Sequence, residues 1–237
     1  MSNGNSEQLH PLQNTWCIWE HKVAKSREDW GDSMQSLAEF STVEDFWKVY
    51  NNVPKPSQVM FDGSTRKKVG DRVIDSYSLF KKGIRPEWED AQNCQGGEWQ
   101  SRSKMTPQAL DLFWENMVLG LVGETVDVGD EICGARVVDK SKNNHNVYRF
   151  ELWLRSNDNG TAVRLLERLK ACLADGNLHE KLMPSFDWKG HGGGDGLDGS
   201  FCEIGSLLLM EARHGKCSKR FCIVNPAEPP RQISRLF

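Results

Sequence analysis

Three tryptophans lie outside the apolar pattern of the chain, in surroundings that suit recognition of a flat cation. Trp30 and Trp88 each lie in a polar loop beside acidic residues, as EDW at 28–30 and EWED at 87–90. Trp153 lies in the segment VYRFELWLR, on the strand face opposite the alternating apolar residues and in company with basic ones. Packing alternatives stay open for all three: a loop tryptophan is often a partly buried anchor, and Trp153 also suits a second packing layer under a loop.

These residue types suit one kind of ligand. A planar cation held between two indole rings gains stacking and cation–π attraction of about 0.5–2 kcal/mol per ring. A carboxylate beside it can accept two parallel hydrogen bonds from the N1–H and N2–H₂ edge of a guanine, and such charge-assisted pairs are about twice as strong as neutral bonds. Guanine methylated at N7 is planar, cationic and carries that donor edge. Its phosphates would then need Lys or Arg nearby.

Composition excludes several other classes of protein. The chain has 237 residues, with 30 Lys and Arg against 33 Asp and Glu, so its net charge of −3 does not suit binding of nucleic acid through bulk positive charge. No apolar run approaches the ~18 residues of a membrane span, and the N-terminus lacks the apolar segment of a secretory signal. Seven cysteines without a CxxC pair favour reduced thiols. Nine Trp against three Tyr is an unusual ratio that again favours stacking.

Catalytic and metal-binding motifs are missing from the sequence. There is no GxSxG, HExxH or Walker A pattern, and GGGDG at 192–196 lacks the Lys-Ser/Thr of a phosphate loop, which favours a flexible loop. Cys217, Cys222 and His214 do not have the spacing of a standard zinc site. We therefore predict no catalytic residues, no metal and no cofactor.

The elements that position the tryptophans predict an α+β fold. Ser41 and Thr42 offer helix caps, with a capping box at Ser41-x-x-Glu44, for a helix that runs to about Val53. Further helices are predicted at 107–122 and 161–174. Helices interspersed among strands without strict βαβ alternation favour an antiparallel sheet with helices on one face. The predicted strands cover 15–23, 77–84, 98–104, 132–139, 147–155, 201–211 and 219–224. We predict a flexible tail at 1–14 and one domain at 15–237, with inserted loops near 61–75 and 187–201.

Three motifs in this order make the chain recognisable. HPLQNTW at 10–16, TVEDFW at 42–47 and PEWED at 86–90 resemble the eukaryotic translation initiation factor 4E family, the mRNA cap-binding proteins. FWENMVLGLVGE at 113–124 and EICGARVV at 131–138 extend the resemblance, which covers roughly residues 10–224. The length of the insertions is similar to that of divergent protist members.

The resemblance implies a curved antiparallel sheet of about eight strands, backed by three helices on its convex face. It also implies that the 7-methylguanine of the cap stacks between Trp30 and Trp88, while Glu89 accepts hydrogen bonds from the N1/N2 edge. Trp153 would pack near the N7-methyl group.

Basic residues would hold the phosphates of the cap. Counting forward from the CGA motif and back from Trp153 places Lys140 and Arg149 at the family's basic positions, and extra residues between them leave Lys142 and His145 as candidates. Glu98 stands where the family usually has a basic residue, so we expect a weaker hold on the triphosphate.

A second surface would bind protein partners. His10, Pro11, Val43, Trp47 and Leu119 match the family's site for an initiation factor 4G-like scaffold or an inhibitory binding protein, which would lay an amphipathic helix across Trp47. On the residues alone, Trp47 also suits core packing. The residues that follow the helix FW are Glu and Asn rather than the usual apolar–acidic pair, which indicates an altered partner.

The expected function is therefore recognition of the mRNA 5′ cap in translation initiation. The alternative is a cap-binding regulator or repressor with a non-standard protein partner. The cap could carry additional methylation on its first nucleotides, and the basic segment RHGKCSKR at 213–220 is either a contact for those nucleotides or a solvated loop. We expect the protein in the cytoplasm, with the nucleus as a second compartment, and no membrane association.

Overall fold

The computed structural model describes residues 8–23, 33–60, 65–127, 129–142, 145–174 and 183–192. Within these residues the chain forms seven strands and four helices. They follow each other as β1 (Pro11–Lys22), β2 (Met34–Thr42), α1 (Val43–Tyr50), α2 (Pro56–Val59), β3 (Ile74–Lys81), β4 (Gly97–Lys104), α3 (Pro107–Val122), β5 (Ile132–Asp139), β6 (Val147–Leu154), α4 (Asn159–Ala174) and β7 (Asp187–Gly190).

All seven strands belong to one antiparallel sheet in the order β2-β1-β3-β5-β6-β4-β7. The register places Gly134, Trp153, Glu98 and Lys189 side by side on β5, β6, β4 and β7. Because side chains alternate between the two faces of a strand, these residues share one face, which we call the open face.

The helices cover the opposite face, which holds the main core. Its buried members include side chains of α1, α3, α4 and the sheet, such as Phe46, Trp114, Leu169, Tyr148 and Phe150. A second, smaller cluster on the open face contains Phe80, Ile84, Cys133 and Trp153, with Trp19 packed against it, and no helix residue. The expected division of β6 into an apolar core face and a second face bearing Trp153 is therefore confirmed.

Helix α3 begins as its sequence predicts. Of the two caps offered for helix α1, Thr42 is confirmed and the capping box at Ser41 is wrong. Helix α3 has the predicted bounds, with the Thr106 hydroxyl accepting from the Ala109 N–H. Helix α1 begins after Thr42, whose hydroxyl accepts from the Asp45 N–H at 3.1 Å, so Ser41 is not the cap. Ser41 instead lies in β2, while the Glu44 carboxylate accepts from the backbone N–H of His10, just before β1, and contacts its imidazole.

Other boundaries differ because pairing between strands outweighs local pattern. The first strand begins at Pro11, so residues 11–14 of the predicted tail belong to β1. Helix α1 ends at Tyr50 rather than Val53, and the short helix α2 begins at Pro56, where the sequence predicted only a stop. The predicted strands at 201–211 and 219–224 lie outside the described residues, as do most of the insertion near 187–201 and residues 61–64 of the other insertion.

Strands β2 and β7 were not predicted. Strand β2 pairs with β1 although its sequence is mostly polar, and β7 adds four residues to the free edge of β4. No helix in the described part of the chain is long and apolar enough to cross a membrane.

Candidate functional site

The loop between β3 and β4 holds Trp88 at the surface on a firmly bonded backbone. The buried amide of Asn93 donates to the carbonyl oxygens of Arg85 and Glu87, both at 2.8 Å. The Arg85 guanidinium pairs with the Glu87 carboxylate at 2.8 Å, and this hydrogen bond raises the pKa of Arg85. The Asp90 carboxylate accepts from the Arg85 N–H. Trp88 remains 47% exposed on this loop, so its ring is available for stacking.

Trp153 forms the floor of the open face next to this loop. Its ring packs edge-on against Phe80, with centroids 5.4 Å apart, and its indole N–H donates to the Glu151 carboxylate at 2.9 Å. A glycine is required beside it, because a Cβ on Gly134 would lie 2.4 Å from the Phe80 ring. Trp153 is therefore held in one orientation by a hydrogen bond and by an aromatic contact.

His191 connects the two tryptophans. Its ring centroid lies 4.5 Å from that of Trp153 and 6.3 Å from that of Trp88. Its Nδ1 lies 3.0 Å from the carbonyl oxygen of Asn93, which can only accept, so Nδ1 carries the proton. Its Nε2 lies 3.4 Å from a carboxylate oxygen of Glu98, the arrangement of an ion pair when the ring is protonated.

A cation already rests on the exposed indole. The Lys189 ammonium lies 4.0 Å from the ring centroid of Trp88. This contact is within the ~6 Å range of cation–π attraction and demonstrates that the ring face accepts positive charge.

Basic side chains continue along the open face. The Arg149 guanidinium pairs with Glu151 at 2.5 Å, and the same carboxylate holds Trp153. Lys140 is half-buried, and its pKa lies below the ordinary value because of burial and then because of the charge of Arg149. Lys142 is exposed, and its backbone pairs with that of His145 in an isolated antiparallel β-bridge. This region is therefore rich in positive charge, which the carboxylates of Glu151 and Asp75 only partly offset.

The predicted base-binding residues are only partly described. Trp88 and Trp153 come together through His191, while Glu89 is exposed beside Trp88. Trp30 lies outside the described residues.

The predicted partner surface lies on the helix side. The backbone N–H of Val43 donates to the carbonyl oxygen of His10 at 2.9 Å. The imidazole of His10 lies 2.6 Å from the Glu44 carboxylate. This hydrogen bond lowers the pKa of Glu44 to about 2. Pro11 pairs with Thr42 across β1 and β2.

Trp47 is not an exposed ridge. It is 5% exposed and packs against Phe46 at 4.7 Å, so core packing is correct for its ring. Its buried indole N–H has no hydrogen-bond partner among the described residues. Val43 and Leu119 are half-buried and pack against the same core.

The sequence profile described as Eukaryotic initiation factor 4E matches residues 11–191 of the chain. The chain belongs to this family. Initiation factor 4E1 of Drosophila melanogaster is 38% identical over 155 residues, which are 65% of this chain and 53% of the relative. Initiation factor 4E of Saccharomyces cerevisiae is 30% identical over 173 residues, 71% and 74% of the two chains. This chain thus spans about half the length of the Drosophila relative, and 63% of that of initiation factor 4E-2 of Schizosaccharomyces pombe.

Solved structures agree with the family. Initiation factor 4E-3 of Ascaris suum in complex with an m7G cap has a TM-score of 0.63 and 30% identity, over 79% of this chain and 94% of that one. Initiation factor 4E-3 of C. elegans in complex with the 4E-binding protein Mextli has a TM-score of 0.61 and 31% identity, over 78% and 94%. They confirm the predicted α+β fold with a curved antiparallel sheet. Members of the family are initiation factors and not enzymes.

Positions that depart from the family pattern have local partners. Glu98 is 1% exposed, with one oxygen near His191 and the other without a hydrogen-bond partner among the described residues. Glu115 pairs with Lys55 at 3.8 Å, and the amide of Asn116 donates to the Leu173 carbonyl at 3.4 Å. The two residues of helix α3 that depart from the family pattern thus contact other residues of this chain.

Sequence reasoning missed two residues of the site. Lys189 lies in β7 and His191 directly after its end, in a segment predicted as an insertion because the strand has only four residues and no alternating pattern. The sequence signal for these residues was a lysine two positions before a histidine. Their contact with Trp88 depends on the pairing of β7 with β4.

Proposed function

We propose that this chain binds the 7-methylguanosine 5′ cap of mRNA and acts in translation initiation. The observation that carries the proposal is the exposed Trp88 ring, which holds the Lys189 ammonium at 4.0 Å and is joined to Trp153 through His191. A ring that already accepts a cation suits the positively charged base of the cap.

The base would lie against Trp88, with Trp30 covering its second face as the family resemblance implies. Glu89 would accept the two donors of the guanine edge, because its exposed carboxylate lies next to Trp88 on a loop with little freedom. Trp153 would contact the N7-methyl group. Discrimination against unmethylated guanine then arises because the neutral base loses the cation–π attraction.

The phosphates would bind Lys140, Lys142 and Arg149. The pKa of Lys140 is lowered first by burial and then by the charge of Arg149, and a phosphate between the two side chains would relieve their repulsion. The cap complexes named for the Ascaris relative, with m7G and with m2,2,7G, support cap binding and make a hypermethylated cap a reasonable second ligand.

Protein partners would bind beside α1. We assign to this surface the residues His10, Pro11, Val43, Trp47 and Leu119. The indole N–H of Trp47 is buried, so it would have to become exposed before a partner could bind it. Complexes of relatives with Mextli and with 4E-BP support a partner of the scaffold or binding-protein kind. The relatives are named initiation factors, which favours initiation over the alternative of a regulator or repressor. We expect a cytoplasmic protein that also enters the nucleus, which imaging of the tagged full chain would test.

Quenching of intrinsic tryptophan fluorescence tests the cap proposal. The full chain is titrated with 7-methyl-GpppG and with GpppG, and the methylated ligand should bind at least tenfold more tightly. Loss of stacking in Trp88→Ala removes about 1–3 kcal/mol, and Glu89→Ala removes a charge-assisted pair of about 1.5–3 kcal/mol. Each should weaken binding about fivefold or more, whereas Glu167→Ala on the exposed side of α4 should not.

Circular dichroism of each variant separates a lost site from a lost fold. Equal affinity of the folded wild type for both ligands would refute the proposal, and so would unchanged affinity in both Trp88→Ala and Glu89→Ala.

A further inference from the structure

Two arginines face each other on the open face. Arg102 of β4 lies directly opposite Arg149 of β6 in the antiparallel register. Residues in such pairs have Cβ atoms about 4.5–5.5 Å apart, and like charges there destabilise the sheet. The pair therefore concentrates positive charge on the open face, and an anion bound beside Arg102 would relieve the repulsion.

Neutralising groups are scarce around this pair. Arg149 shares Glu151 with the Trp153 indole, so that carboxylate is already bonded on two sides. Arg102 is exposed, and its guanidinium has neither an ion pair nor a hydrogen bond within the described ranges. Asp187 is the nearest acid on the adjoining strand, and it lies opposite Gln100, one position along the same face.

Two lysines extend the positive charge along the strands, beyond the pair of arginines. Lys104 lies opposite Val147 at the end of β4, and the Lys140 N–H donates to the carbonyl of the same Val147. Lys104 is exposed, and Lys140 is half-buried with its pKa lowered by burial and by Arg149. The strand β4 therefore carries Arg102 and Lys104 alongside the residues proposed to bind the cap phosphates.

We propose that Arg102 and Lys104 form a second phosphate subsite, which binds the phosphodiester backbone of the first transcribed nucleotides. The inference rests on the proposed cap-binding function and extends it from the cap to the RNA behind it. A guanidinium can hold two oxygens of one phosphate, while a lysine acts as a point charge. Phosphate contacts carry no sequence information, so the subsite strengthens binding of any capped transcript equally.

The test compares a cap analogue that ends at its triphosphate with a capped RNA that has nucleotides beyond the triphosphate. Affinities of the full chain for 7-methyl-GTP and for a capped tetranucleotide are measured at several salt concentrations. The wild type should bind the tetranucleotide more tightly and with the steeper salt dependence. Arg102→Gln should weaken tetranucleotide binding about fivefold and leave 7-methyl-GTP binding unchanged. The double variant Arg102→Gln/Lys104→Gln should lower the salt slope by about 1.4, or 0.7 for each lost contact with a single strand.

Arg168→Gln is the matched control, because Arg168 is exposed on α4 and faces away from the sheet. It should change neither ligand's affinity. The inference is wrong if 7-methyl-GTP binds but the tetranucleotide gains nothing, or if Arg102→Gln and Arg168→Gln behave alike. Failure of the wild type to bind 7-methyl-GTP would instead overturn the proposed function, and the inference with it.

Discussion

Replacing Lys189 by glutamine should strengthen binding of 7-methylguanosine, the ligand without phosphates. The Lys189 ammonium lies 4.0 Å from the centroid of the Trp88 ring, so the methylated base must displace one cation to bind there. Trp88 is 47% exposed, which places this contact at the weak end of the cation–π range, about 0.5–1 kcal/mol. Removing the competing contact should therefore raise the affinity for the nucleoside by about two- to fivefold.

Tryptophan fluorescence provides the assay, with Lys48→Gln on the exposed side of α1 as the control. The nucleoside is used because Lys189 also attracts phosphates, and its loss would weaken binding of 7-methyl-GTP through an opposite effect. Comparison of the two ligands separates the competition between the Lys189 ammonium and the base from the attraction between the ammonium and the phosphates. Weaker nucleoside binding in Lys189→Gln than in the wild type would show that the ammonium assists the base rather than competing with it, and would refute the reasoning.

Two further predictions concern the fold. Gly134→Ala should destabilise the protein by about 1–3 kcal/mol in chemical denaturation, because the added Cβ would lie 2.4 Å from Phe80 and 2.5 Å from a backbone oxygen; a change below 0.5 kcal/mol would contradict the packing argument. Glu44 has a folded pKa of about 2, below its ordinary 4.5, because His10 donates to it. Its contribution to stability is therefore present above pH 4.5 and is lost as the pH falls toward 2, so the difference in melting temperature between wild type and Glu44→Gln should shrink from pH 5 to pH 3.

Local pattern predicted the elements whose apolar side chains face one direction. Helix α3 was found with its observed bounds because Thr106 and Pro107 mark its start and its apolar residues recur with helical spacing. The alternation in β6 separated Tyr148 and Phe150 from Trp153, and the structure places them on the two faces of the sheet as expected.

The elements that were missed depend on partners distant in sequence. Strand β7 has only four residues, and it is a strand because Trp188 and its neighbours pair with the free edge of β4. Strand β2 contains exposed polar residues and becomes a strand through its pairing with β1. Because His191 reaches Trp88 and Trp153 only through the pairing of β7, its place in the site could not be predicted from spacing.

The weaker hold on the triphosphate expected from Glu98 has two physical causes, the missing basic group and repulsion by the carboxylate. Glu98 lies opposite Trp153, and Arg149 lies four residues further along β6, which is about 14 Å at 3.4 Å per residue. Across that distance two unit charges repel by about 0.3 kcal/mol in water and by about 1.2 kcal/mol at the effective dielectric constant of ~20 that suits protein sites, and because Glu98 is buried, salt screens this repulsion only weakly.

Repulsion of phosphates held at Arg149 therefore adds about 0.3–1.2 kcal/mol per phosphate charge to the cost of the missing basic group. The carboxylate also acts locally, because one of its oxygens lies 3.4 Å from Nε2 of His191. Glu98→Gln should consequently strengthen 7-methyl-GTP binding by about two- to eightfold in the fluorescence titration, whereas unchanged or weaker binding would show that the carboxylate acts only through His191.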